Sequence, residues 1–236
     1  MANNMTENEK KLIIDYIESQ PIKIVKSYNI ETRSIEYVKE LRGTTRKSGD
    51  EEFARAYLLT KLVNELGYSI EDIEIERVYT AGRPHTNTSR IDAIVEDKNK
   101  DCFLFIEVKS PSEYLTMDKN EVIKEQLFKV AGMQENDTIP RKVKYLLLYT
   151  VNFTENSVID ESTIIDYEAF PTYNNWEKVL DYLTDIPENY GIAKKIPFVK
   201  GSKKDLETEC YRIYKKIFTM YYGAEVEQMI TMFFLR

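Results

Sequence analysis

Histidine is almost missing from this 236-residue chain: the single one, His85, sits in the turn-rich stretch TAGRPHTNTS. Zinc sites built on several histidines and histidine-metal nuclease centres cannot be assembled from it, and a Ser-His-Asp triad would have to use that one residue. Glycine is scarce too, with eight residues and no GxGxxG or GxxxxGK(S/T) among them, which argues against nucleotide-driven catalysis within the chain. No serine stands in a GxSxG nucleophile elbow. The two cysteines, Cys102 and Cys210, lie far apart in apolar surroundings, the setting of buried free thiols rather than of a disulfide or a ligand pair. Long apolar runs are absent: none approaches the roughly 20 residues needed to span a bilayer. The start MANNMTENEKKLIIDY has neither the apolar segment nor the cleavage site of a signal peptide. The expectation is a soluble cytoplasmic protein with no membrane association, and any catalysis must work mainly with carboxylates and lysine, with a hard metal ion held through oxygen as an option.

What is present begins with enough apolar residues, 42% of the chain, for one good core with a helical appendage. From Gly49 the segment GDEEFARAYLLTKLVNELGYS has acids in its first turn, apolar positions at Phe53, Ala56, Leu59, Leu62, Val63 and Leu66, and Gly67 at its end, which predicts a helix. Three strand-like runs follow, IEIERVYT, RIDAIVED and CFLFIEVKS, the last two close enough for a hairpin. A second helix is expected in MDKNEVIKEQLFKVAGMQ, and VKYLLLYTV, apolar on both faces, reads as a buried strand. The order is helix, three strands, helix, strand. Residues 1–44 form a helical and irregular lead-in, 45–152 the core, 153–204 a connecting region and 205–236 a helical segment.

The third strand ends in an unusual way. Five apolar or small residues lead to Glu107, Val108 and Lys109 before Pro111 turns the chain. Residues two apart on a strand share a face, so Glu107 and Lys109 project together. A four-residue turn over Lys98 to Asp101 sets Asp92 opposite Glu107. Three ionisable groups then meet among Ile91, Ala93, Ile94, Phe105 and Ile106, where unpaired charge is costly. Two carboxylates at one end of a sheet suit Mg²⁺, with Mn²⁺ as a substitute and the Val108 main-chain carbonyl as a further ligand. Lys109 beside them can orient or help deprotonate a water and offset charge building on a phosphate. The ordinary alternative is a strand that simply emerges into solvent at EVKS.

With Asp92, Glu107 and Lys109 set in RIDAIVEDKNKDCFLFIEVKSP, and with this order of elements, the sequence resembles the PD-(D/E)xK nuclease superfamily. It is most similar to the amino-terminal nuclease domain of type I restriction enzyme R subunits and related N6-adenine methylase fusions, which show an acidic pair before an arginine (here DEEFAR), an RID strand, IEVKSP, and a glutamine on the second helix (here EQLFKVA). The resemblance covers roughly residues 45 to 152. It implies an α/β restriction-endonuclease-like αβββαβ core, with a mixed central sheet flanked by helices and a helical carboxyl-terminal extension. It further implies Asp92 and Glu107 as metal ligands, Lys109 as the catalytic lysine, Glu52 as a supporting carboxylate and Gln126 beside the site. Glu52 is chosen over Glu51 because it shares a helical stripe with Ala56, Leu59, Val63 and Leu66. Val130 stands where the family usually has an aromatic residue, four positions after the glutamine.

A formal net charge of -7 disfavours strong DNA binding by the chain as a whole. Local basic stretches supply candidate phosphate contacts: Arg42, Arg46 and Lys47 in RGTTRK, then Arg83 and Arg90. The implied partners are double-stranded DNA, delivered by other domains, and the methylase and specificity subunits or domains of a restriction-modification system. The apolar run VEQMITMFFLR suggests a chain that continues into a further domain. Two functions are expected to compete: a Mg²⁺-dependent DNA endonuclease, and a nuclease-like fold that only binds DNA or docks subunits. A small-molecule hydrolase has little in the sequence to support it.

Overall fold

The computed structural model describes residues 4–177, apart from 44–45, 82–86, 98 and 138 and the side chains of 46, 47, 81 and 87. The chain enters α1 (Glu7–Ser19) through a capping box, in which the Glu9 N–H donates to the Thr6 hydroxyl and the Thr6 N–H donates to the Glu9 carboxylate. Donors that a helix start leaves open are thereby satisfied. The buried face of α1, with Ile13, Ile14 and Ile17, packs on α2 (Asp50–Asn64). In α2 the expected stripe Phe53, Ala56, Leu59, Leu62 and Val63 is buried.

Between these helices run β1 (Val25–Asn29), β2 (Ser34–Tyr37), β3 (Arg42–Gly43) and β4 (Arg46–Ser48). Strands β1, β2 and β4 make a small antiparallel sheet, whereas β3 joins the main sheet. Gly43 permits that union: its φ is +111°, and a Cβ there would stand 1.9 Å from the Ile75 carbonyl oxygen, a position open only to glycine.

The main sheet adds β5 (Ile73–Ala81), β6 (Asn87–Glu96), β7 (Cys102–Val108), β8 (Val143–Phe153) and β9 (Val158–Asp166), in the order β3-β5-β6-β7-β8-β9. Strand β7 is antiparallel to β6 and parallel to β8, so the sheet is mixed. The crossover from β7 to β8 is helical: α3 (Pro111–Thr116), α4 (Lys119–Val122), a π-helical stretch Ile123–Phe128, and α5 (Lys129–Glu135). The expected αβββαβ order is therefore present as α2, β5 to β7, the α3–α5 crossover and β8.

One face of the sheet packs Ile75, Ala93, Val95, Leu104, Ile106 and Leu147 against α1 and α2. The other packs Ile94, Phe105, Leu146 and Leu148 against Leu127, Val130 and Ala131 of the crossover. Covered on both sides, β7 is buried along its whole length, and each large apolar side chain so placed contributes about 1.5–3 kcal/mol. Two stretches are more ordered than the sequence suggests. Strands β1 and β2 fall in the lead-in, and β9, in the stretch read as a connection, pairs antiparallel with β8 and adds a sixth strand. The expected 205–236 helix and Cys210 lie outside the described residues. Among the described residues no helix is long and apolar enough to cross a membrane.

At the hairpin end of the sheet Glu96, with its side chain 2% exposed, receives Arg42 at 2.9 Å, Lys100 at 3.4 Å and Arg141 at 2.5 Å. Burial alone would raise the Glu96 carboxyl, but the two arginines outweigh it and hold it below the ordinary carboxylate value. A depressed folded-state value adds stability above the unfolded pKa, and that stability is lost as pH falls through the folded value. Glu96→Gln is therefore expected to cost about 1.5–3 kcal/mol at pH 7. The difference from wild type should shrink below about pH 4, as read by urea denaturation at the two pH values.

Candidate active site

Pairing between β6 and β7 runs through Val95↔Leu104, Ile94↔Phe105 and Ala93↔Ile106, with a register shift where Glu96 meets Cys102. The connection is thus a bulged turn rather than a plain four-residue one, yet beyond the bulge the register still brings Asp92 level with Glu107. There the main-chain ladder stops. The Asp92 carboxylate takes the Val108 N–H at 2.7 Å, so a side chain replaces a carbonyl between the strands. Strand β6 continues alone against β5, from Arg77↔Ile91 to Ala81↔Asn87, while Ser110 caps α3 and Pro111 opens it. The parting of the two strands leaves a cleft beyond the carboxyl end of β7, the end at which open α/β sheets place their sites.

The cleft has a volume of about 320 Å³ and is lined by Glu51, Arg90, Asp92, Glu107, Lys109 and Gln126, with Thr88, Ser89, Glu125 and Val130. Lys109 is fixed twice through its main chain, its N–H donating to the Tyr149 carbonyl and its own carbonyl accepting from Thr150 Oγ1. Its side chain is 8% exposed, and its ammonium lies 2.6 Å from Glu107 Oε1. Burial would lower the Lys109 pKa, but contact with Glu107 more than reverses this and leaves it raised, so the group is an ammonium at neutral pH. The Glu107 carboxyl is pushed up by burial and then by the charge of Asp92, against the pull of Lys109. Glu51 is raised for the same two leading reasons.

Behind the cleft floor lies Arg55, with none of its side chain exposed. Its Nη2 reaches Asp92 Oδ1 at 2.6 Å and Glu51 Oε1 at 3.0 Å, while Nη1 reaches Glu76 Oε1 at 2.6 Å and Glu52 Oε1 at 2.9 Å. Glu76 Oε2 in turn holds Arg90 Nε at 2.8 Å on the cleft rim. Burial disfavours the Arg55 charge, but the carboxylates around it, Asp92 first, raise its pKa all the same.

The structure thus gathers Asp92, Glu107, Lys109, Gln126 and Arg90 at one cleft and sets Val108 beneath Asp92. Glu52 does face inward, at 3% exposure, as the helical stripe requires, but it is turned to Arg55 and to the Tyr37 hydroxyl. The α2 carboxylate on the cleft is its neighbour Glu51. The reason is that the cleft opens at the end of the sheet rather than within the core that the stripe faces. Arg42 is held at the hairpin end by Glu96 and Glu74, because β3 pairs with β5 there. The backbone of Arg46 and Lys47 lies in β4; their side chains, and Arg83, lie outside the description. Sequence reading gave no role to Arg55 or Glu76. For Arg55, an arginine one turn after paired acids on an apolar stripe was the available signal; for Glu76 there was none.

In the ion-pair network behind and on the cleft, the carboxylates Glu51, Glu52, Glu76, Asp92 and Glu107 outnumber the cations Arg55, Arg90 and Lys109, and Glu113 and Glu125 add further acids at its edge. Gln126 Oε1, buried in the wall, has no hydrogen-bond partner. An all-oxygen donor set short of positive charge fits a hard divalent cation. Among the described residues no group of three or more His, Cys, Asp or Glu side chains is spaced as a metal cage. A larger cavity, about 920 Å³, lies at the opposite end of β7 between Tyr68, Phe103 and Tyr167.

Residues 50–133 match the family described as type I restriction enzyme R protein N terminus, the resemblance that the sequence motifs carry. The match spans α2, the three antiparallel strands and most of the helical crossover. No curated protein matches the chain. Removing the one cation common to four of these carboxylates should be severe. Arg55→Met is expected to destabilise the fold by about 3–5 kcal/mol, the scale for stranding buried charge, as measured by urea denaturation.

Proposed function

We propose that this chain carries a Mg²⁺-dependent DNA endonuclease domain of a restriction-modification system, hydrolysing phosphodiester bonds. The observation that carries the reading is the meeting of Asp92, Glu107 and Lys109 in one cleft, inside the segment that matches the restriction enzyme family. Asp92, Glu107 and Glu51 would hold the cation, with Val108 as the main-chain candidate. Glu51 here takes the place first given to Glu52. Mg²⁺, or Mn²⁺ in its stead, supplies Lewis-acid polarisation of the phosphate and makes a water more acidic.

The chain's own residues do the rest. Lys109, an ammonium rather than a base, orients the attacking water and offsets the charge that develops on the phosphate. Arg55 and the Val108 N–H hold the two Asp92 oxygens in place, and the unpartnered Gln126 Oε1 in the cleft wall can accept a hydrogen bond from a water. Arg90 on the rim is the phosphate contact, with Arg83 as a further candidate. Double-stranded DNA and the methylase and specificity subunits of such a system are the partners.

A second reading rests on a specific observation: both Asp92 oxygens are already engaged, by Arg55 and Val108. On that reading the fold binds DNA or docks subunits without cleaving. Calorimetry separates the two. Mn²⁺ should bind the wild-type chain and fail to bind Asp92→Ala of unchanged fold; equal behaviour of both would discard the metal site. Lys109→Ala, in the complete protein with its partner subunits, should still assemble and bind DNA but cleave at least about a hundredfold more slowly, the scale of removing one electrostatic group from a transition state. Unchanged cleavage would remove Lys109 from the chemistry.

A further inference from the structure

Glu76 is placed in a way that ordinary strand geometry does not explain. The β5–β6 register is continuous on both sides of it, with Ile75↔Ala93 and Arg77↔Ile91. Yet Glu76 has a φ of +60°, a left-handed backbone that an unbranched, non-glycine residue adopts only at a conformational cost. The faces of the sheet change over at the same level. On β5, Ile73 and Ile75 belong to the cluster under α2, whereas Tyr79 belongs to the cluster under the crossover helices; on β6, Ala93 belongs to the first and Ile91 to the second. Strict alternation would put Ile91 and Ala93 on one face. The local turn at Glu76 sends its carboxylate toward α2. There, 8% exposed overall, it meets Arg55 Nη1 at 2.6 Å and Arg90 Nε at 2.8 Å.

We infer that Glu76 is a positioning residue of the cleft: by fixing Arg55 it sets Asp92 and Glu51 for the cation, and by fixing Arg90 it holds a cationic contact on the rim. This rests on the nuclease reading. Two features separate it from a merely stabilising ion pair. The backbone turns left-handed within an unbroken register at the residue that makes the contact, and one carboxylate joins two guanidinium groups of the same cleft, Arg55 behind it through Asp92 and Arg90 in its lining. A stabilising pair requires neither.

The test is Mn²⁺ binding by the 236-residue chain, followed by calorimetry beside thermal unfolding. Glu76→Gln should remain folded and bind Mn²⁺ at least tenfold more weakly than wild type. In an Arg55→Lys background, where the charge is kept but one head group cannot reach all the acceptors, the same substitution should cause less than a twofold further loss, because its effect passes through Arg55. Should Glu76→Gln fail to fold, Glu76→Asn, better suited to a left-handed backbone, takes its place with the same expectation. Wild-type affinity in the Glu76 variant overturns the proposal while leaving the metal site standing. So does an undiminished tenfold loss in the Arg55→Lys background, which marks a plain charge effect. A wild-type chain that takes up no Mn²⁺ overturns the nuclease reading and this inference with it.

Discussion

The guanidinium of Arg55 is the contact on which the architecture of the cleft turns. It joins α2 to β5 and β6 by touching Glu51, Glu52, Glu76 and Asp92, and no part of its side chain is exposed. Burying an ion is expensive, and a buried pair is weak evidence for stability, since apolar residues of similar volume often serve as well. What apolar residues cannot do is hold four carboxylates within one hydrogen-bonding radius. Arg55 does so because its planar fork offers five donors in fixed directions. The acids it gathers from α2 also stand in the helix's first turn, where the macrodipole favours negative charge. Their placement therefore needs less compensation than a random cluster would.

Asp92 has two tethers of different origin. Arg55 holds one oxygen and the Val108 amide holds the other. The second tether is also what ends the β6–β7 ladder, so a single side chain both opens the cleft and stands on its floor. Lys109, with its N–H and carbonyl committed to β8, is rigid for an independent reason. The cleft is thus assembled from main-chain constraints on one strand and a charge network on the next two elements.

How much of this was legible follows from which physics wrote it. The spacing of Asp92, Glu107 and Lys109 was readable because period-two geometry and a short connection fix which residues share a level, and the bulge at Glu96 did not disturb that register. The helix carrying Arg55 was readable from its stripe. Burial, however, named Glu52, whereas the cleft took Glu51, because a residue can face the core without facing the site. Arg42 read as a free cation and is spent on Glu96, a pairing that requires β3 to reach β5 past Gly43. Strands β1 and β9 carry weak apolar patterns, four of the five residues of β1 being exposed, and they form because the neighbouring strands offer open edges. Glu76 was invisible for a further reason: in IEIERVYT it is one more polar residue on an alternating strand, and nothing in the letters records a change of backbone hand.

Local and global preferences agree through most of this molecule, as they must for a sequence that specifies one fold. The capping box of α1, the buried stripe of α2, the doubly covered β7 and the glycine at the β3–β5 contact each satisfy their own rule. Some exceptions stand apart, such as the left-handed Arg33 and Lys100 and the bulge at Glu96, but several meet at the cleft. A left-handed glutamate, a slipped alternation, an open amide at Gln126, carboxylates outnumbering cations, and a Glu107 carboxyl raised despite an ammonium 2.6 Å away all surround the same cleft. Gathered around a space of about 320 Å³, they mark the part of the fold where local rules yield to the arrangement of charge.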